Sequence, residues 1–92
     1  MNQFDSYLFI YPISGSGQYR AALNVRAGRG FEIFASGETP YGALGALNVA
    51  RQNAFNAWCA TTAADYPGRD RDLRAFEAAR LEIADRMDKI AK

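Results

Sequence analysis

The sequence contains no histidine and a single cysteine, Cys59. Without an imidazole, the chain lacks the side chain that most often moves protons near neutral pH. With one thiol and nothing to activate it, nucleophilic catalysis has no starting point either. The same shortages exclude a disulfide framework and a metal-ligand cluster of the zinc type. Cys59 reads as a small hydrophobe buried beside Trp58, and a solitary cysteine fits a reducing compartment. An enzyme, a metal site and a cofactor are therefore not expected.

An excess of charge is also missing. Eleven Lys and Arg residues against ten Asp and Glu leave a net charge of +1. A DNA mimic would be strongly acidic and a nonspecific nucleic-acid binder strongly basic. Lysine is scarce: Lys89 and Lys92 stand beside arginines 20, 26, 29, 51, 69, 71, 74, 80 and 86. Arginine favours bidentate contacts to phosphate or carboxylate and is enriched at interfaces, although an Arg-rich genome produces the same bias. No apolar run reaches the length of a membrane span, and the polar start Met-Asn-Gln-Phe-Asp-Ser lacks the order of a signal peptide. A soluble, cytoplasmic protein without a membrane partner is expected.

What is present is enough for one folded domain over residues 1–92: 49% of the residues are hydrophobic and 13% aromatic. Residues 6–13 form the first strand candidate, with Tyr7, Phe9, Tyr11 and Ile13 on one face and Leu8 and Ile10 on the other. Both faces are apolar, as in a central strand or one covered on both sides, while Pro12 marks an edge or an end to pairing. After a hairpin loop at 14–17, residues 19–25 alternate cleanly. Tyr19, Ala21, Leu23 and Val25 face one way, and Arg20, Ala22, Asn24 and Arg26 the other. A turn at 27–30 leads to a third strand over 31–35, which Ser36-Gly37 should end.

Thr39 then caps a helix, with Pro40 at the first helical position. This helix should run to about Ala60, with Leu44, Leu47, Phe55 and Trp58 on one side and Val49 and Ala54 widening the stripe. Arg51, Gln52, Asn53 and Asn56 make its polar face. Gly42, Gly45 and Ala46 suggest close approach to the sheet. A turn at Tyr66-Pro67-Gly68 precedes a last helix from about Arg69 or Asp70 to the end, with a stripe of Leu73, Phe76, Ile83, Met87 and Ile90. Arg80 interrupts that stripe, pointing to a buried acidic partner or to loose packing. Acid-before-base pairs four apart, Asp70–Arg74, Glu82–Arg86, Asp85–Lys89 and Asp88–Lys92, each support the helix by roughly 0.2 to 0.5 kcal/mol. The expected fold is α+β: a three-stranded antiparallel meander, a long helix packed on the sheet, and a C-terminal helix.

Two glycine-flanked loops, Gly15-Ser16-Gly17 and Gly28-Arg29-Gly30, imitate phosphate cradles but do not run into helices, so they read as hairpin turns. The polar side of the second strand is the more informative surface. Arg20 and Arg26 lie on it, Arg29 extends from the adjacent turn, and Phe34 shares a face with Glu32. If the helix covers the Leu23 side, an aromatic is left open among arginines, as in RNA or protein contact surfaces; a plain solvated face is the alternative.

The stretch Gly30-Phe31-Glu-Ile-Phe-Ala-Ser-Gly-Glu-Thr-Pro-Tyr-Gly-Ala-Leu-Gly-Ala-Leu resembles the part of HicB-type antitoxins where a strand ends in a Ser-Gly-x-Thr turn and an Ala/Leu helix begins. In size, in the short meander from Tyr7 to Ala35 and in its two helices without catalytic residues, the chain is similar to small phage anti-CRISPR proteins acting on type I-F systems. That resemblance implies binding to a crRNA-guided Cas surveillance complex, block of target DNA recognition, and residence in a host cytoplasm. An inhibitor with this charge would set arginines against Cas subunits or the crRNA backbone. The contact residues expected on this reading are Arg20, Arg26, Arg29 and Arg51, followed by Arg69 and Arg71. A HicB-like antitoxin or small RNA-binding regulator is the alternative, and neither reading calls for a small-molecule substrate.

Overall fold

Alternation in the first part of the chain and helical periodicity in the rest give β1 (Ser6–Ile13), β2 (Gln18–Val25), β3 (Phe31–Gly37), α1 (Pro40–Thr61) and α2 (Arg69–Ala91). The computed structural model describes residues 6–25 and 31–91, so the turn expected at 27–30 lies outside the described residues. The fold is α+β. One three-stranded sheet has the order β1-β2-β3, antiparallel throughout.

The β1–β2 hairpin turns where the sequence places its glycines. Gly15 sits at φ 76°, in a conformation that a Cβ disfavours, and the turn is closed by the Ser16 N–H donating to the Ile13 carbonyl at 3.2 Å. The Ser16 hydroxyl reinforces it, donating to the same carbonyl and accepting from the Gln18 N–H. Pairing reaches the very end of β1, because Pro12 lies opposite Tyr19 and Ile13 opposite Gln18. β1 is an edge strand packed on one face only, not a central or doubly covered one. Leu8 is buried, whereas Tyr7, Phe9 and Tyr11 are exposed.

β3 continues past its expected end. Ser36 pairs with Arg20 and Gly37 with Tyr19, so Ser36-Gly37 closes the ladder instead of breaking it. Gly37 is needed there for space. A Cβ on it would lie 2.7 Å from both Ala43 N and Gly42 C, so the strand end and the first turn of α1 touch backbone to backbone. The close approach suggested by Gly42 and Gly45 is made by the strand glycine. A Cβ on Gly45 would meet only the Met87 methyl, at 4.0 Å. Thr39 caps α1 as expected, its hydroxyl accepting from the Gly42 N–H at 2.9 Å.

Both helices lie on the same side of the sheet. Leu8, Ala21 and Leu23 form one core with Ala43, Leu44 and Leu47 of α1 and Ala75, Ala79 and Ile83 of α2. The helices run antiparallel: Gly45 meets Met87, and Phe55 meets Phe76 with ring centroids 5.3 Å apart. The α2 stripe differs from the expected one. Ala75 and Ala79, small enough to let α1 close in, are its buried members beside Phe76 and Ile83. Arg80 is exposed and paired with Glu77 one turn earlier, so it neither interrupts the stripe nor has a buried partner. On α1, Val49 and Cys59 are exposed. Cys59 directly follows Trp58, and one residue turns the helix by about 100°, which carries the thiol off the packed stripe.

Candidate functional site

With both helices on one side, the other side of the sheet is left open, and the strand register fixes what it displays. Alternate residues point the same way, so three cross-strand rows lie on the open face. They are Tyr7–Asn24–Glu32, Phe9–Ala22–Phe34 and Tyr11–Arg20–Ser36. The aromatic side chains of the first strand and the arginine of the second are thereby brought together, although they are far apart in sequence. Phe9 is 55% exposed and Phe34 57%, with Tyr7 at 47% and Tyr11 at 44%. Among the described residues, the other large exposed apolar side chains, Tyr41, Val49, Leu81 and Ile90, are distributed over the two helices.

Local contacts order this face. The Arg20 guanidinium carbon lies 5.3 Å from the centroid of Phe34, a cation–π arrangement across neighbouring strands. The Tyr7 and Phe9 rings stack at 6.4 Å with 13° between their planes. Asn24 Nδ2 donates to Glu32 Oε2 at 3.4 Å. Arg20 and Glu32 are opposite charges at opposite ends of the face, with the Phe9–Ala22–Phe34 row between them. Stacked and cation–π contacts hold the side chains in fewer rotamers, so a partner would meet a partly ordered surface.

Of the arginines expected to form one contact set, the four among the described residues, Arg20, Arg51, Arg69 and Arg71, lie in different parts of the fold. Arg20 is on the open face, while Arg26 and Arg29 lie outside the described residues. Arg69 stacks over Trp58 at 5.0 Å, at the far end of the helical layer, and Arg71 is exposed on the first turn of α2. Arg51 was expected on a solvated polar face and is instead buried, at 4% exposure. The spacing explains the correction. Leu44, Leu47, Arg51, Phe55 and Trp58 follow one another by three or four residues, so Arg51 occupies a position in the packed stripe.

Around Arg51 the seam between the helices is polar. Arg51 Nε donates to Asn48 Oδ1 at 3.4 Å, and a terminal nitrogen donates to Gln52 Oε1 at 2.8 Å. Burial lowers the Arg51 pKa from its usual value; the nearby Arg80 acts in the same direction, and Glu77 opposes them. Glu77 is engaged by Arg80, whose Nε donates to Glu77 Oε2 at 3.0 Å while a terminal nitrogen binds Oε1. That bond holds the Glu77 carboxyl below its ordinary range and raises Arg80. Arg51 is thus buried at the helix seam, in the layer opposite the open face.

No protein-family model, curated protein or solved structure matches the chain. The residues themselves must carry the reading. Among the described residues, no group of three or more His, Cys, Asp or Glu is placed to hold a metal ion, and no helix is long and apolar enough to cross a membrane. The open face is accordingly the candidate site. Sequence reasoning found its Arg20–Phe34 pair but missed Tyr7, Phe9 and Tyr11 as part of the same face. Their period-two spacing was the available signal, and it became decisive only once β1 proved to be an edge strand.

Proposed function

We propose that this is a non-catalytic binding protein that engages a protein target through the open face of its sheet. The observation that carries this reading is the cluster of exposed Tyr7, Phe9, Tyr11 and Phe34 around Arg20 on a face that neither helix covers. Aromatic residues and arginine are the side chains most enriched at the centres of protein interfaces, and an uncovered apolar patch of this kind marks an interaction surface. A protein target is favoured over RNA because the charges described on the face, Arg20 and Glu32, cancel. Single-stranded nucleic acid would add phosphate charge that this surface does not balance.

The target that the architectural resemblance suggests is a crRNA-guided Cas surveillance complex of type I-F, with this protein as a stoichiometric inhibitor. The assay follows directly. Purified type I-F complex loaded with crRNA is titrated with wild-type protein and with Phe9→Glu and Phe34→Glu variants, and target DNA binding is read alongside. The expected result is saturation at one copy per site, with both variants losing at least about tenfold in affinity, near 1.4 kcal/mol, while keeping a wild-type circular dichroism spectrum. Undiminished binding by the folded variants would remove the open face from the function. Absence of binding to the complex would remove that target, and salt-sensitive binding of free RNA would favour the regulatory alternative.

A further inference from the structure

We infer that the open face also pairs with the same face of a second copy of this chain, forming a weak two-fold dimer that competes with the target. This rests on reading that face as the binding surface. The argument lies in how its three rows are arranged. A two-fold interface places one patch against itself, so the patch must be self-complementary.

An axis laid along the Phe9–Ala22–Phe34 row maps that row onto itself. It brings the row Tyr11–Arg20–Ser36 of one copy over the row Tyr7–Asn24–Glu32 of the other. Arg20 then stands over Asn24 of the second copy, with that copy's Glu32 one strand spacing, about 4.8 Å, to the side. Symmetry repeats the contact at the other end, giving two opposite-charge contacts. An axis laid along β2 would instead set Arg20 against Arg20, so charge selects the first arrangement. Ala22, the smallest side chain of the middle row, leaves room at the centre for the two sheets to approach, with Phe9 and Phe34 packing on either side.

The dimer is small. Strands of 7 and 8 residues rise about 3.3 Å per residue, so three of them offer a footprint of roughly 350 Å² per copy. Even allowing for side-chain relief, one three-stranded face is small for a standard stable interface of about 800 Å² of accessible surface per partner, so pairing is reversible and a target that reaches beyond the face displaces it. The free face is then most available when the protein is dilute, and accumulation of the protein masks it.

The experiment is sedimentation equilibrium under reducing conditions, over protein concentrations from about 1 µM to 1 mM. The proteins compared are wild type, Arg20→Glu, Glu32→Arg and the double charge exchange. Wild type is expected to show a reversible monomer–dimer equilibrium. Each single reversal is expected to weaken it at least about tenfold, and the double exchange to restore it to within a few-fold. Monomeric wild type at every concentration, a dimer indifferent to single reversals, or a double exchange that stays monomeric would each overturn the pairing. The target titration keeps the two readings apart. If wild type stays monomeric while Phe9→Glu abolishes target binding, the pairing fails and the binding face stands. If the charge exchange rescues the dimer while Phe9→Glu leaves target binding intact, the pairing through the face stands and its role in target binding fails.

Discussion

Arg51 carries its charge into the seam between α1 and α2, where its hydrogen-bond partners, Asn48 and Gln52, come from its own helix and Arg80 is a like-charged neighbour. A guanidinium held this way loses hydration without gaining a carboxylate of its own, since Glu77 is bound to Arg80. Arg51→Met keeps the length of the apolar stem and removes the charge, while the exposed Asn48 and Gln52 return to water. The expected outcome is a gain of about 1 kcal/mol, read as a higher urea midpoint at unchanged slope, with target binding unaffected. A loss of stability would show that the two hydrogen bonds outweigh the desolvation. The position was legible in the sequence from its spacing with Leu44 and Leu47, but its polarity argued the other way. Arginine can satisfy both signals because its methylene stem packs while its head bonds locally.

At the scale of elements, the best-read features were those set by adjacent residues. The Thr39 cap, the Pro40 start and the hairpin loop each depend on a few neighbours, and all were readable. Features that depend on partners remote in sequence were not. Alternation in β1 gives two apolar faces and cannot say which one meets a helix; only the sheet order and the placement of both helices on the Leu8 side decide that. Ala75 and Ala79 were likewise hidden in a stripe sought among larger residues. Gly37 joins the two scales, ending the β3 ladder and receiving the backbone of α1. Gly37→Ala is expected to cost roughly 1–3 kcal/mol, because the atoms in the way are backbone atoms that cannot rotate aside. Chemical denaturation measures it, and a cost below about 0.5 kcal/mol would mean that the strand end and α1 separate freely.

The whole molecule is a two-layer body with an apolar interior on one side of its sheet and a half-apolar exterior on the other. Its α+β class followed from the order of strand and helix patterns; the open aromatic face did not, because a face is a product of register and layering. Net charge also belongs to this scale. At +1, the chain carries little long-range attraction for a polyanion. Target affinity is therefore expected to change less than about tenfold between 50 and 200 mM salt, whereas engagement of many phosphates would change it by about 10³–10⁵. Fluorescence titration at the two salt concentrations decides between these, and a steep dependence would contradict a protein target.

The single thiol, exposed near the end of α1, lies in the layer opposite the open face. Two copies joined there by a bismaleimide crosslinker would be tethered through their helical layers, leaving both aromatic faces unobstructed. Such a covalent pair would be bivalent: on a target displaying repeated sites it would gain avidity through the tether. The same position accepts a maleimide dye without obstructing the open face.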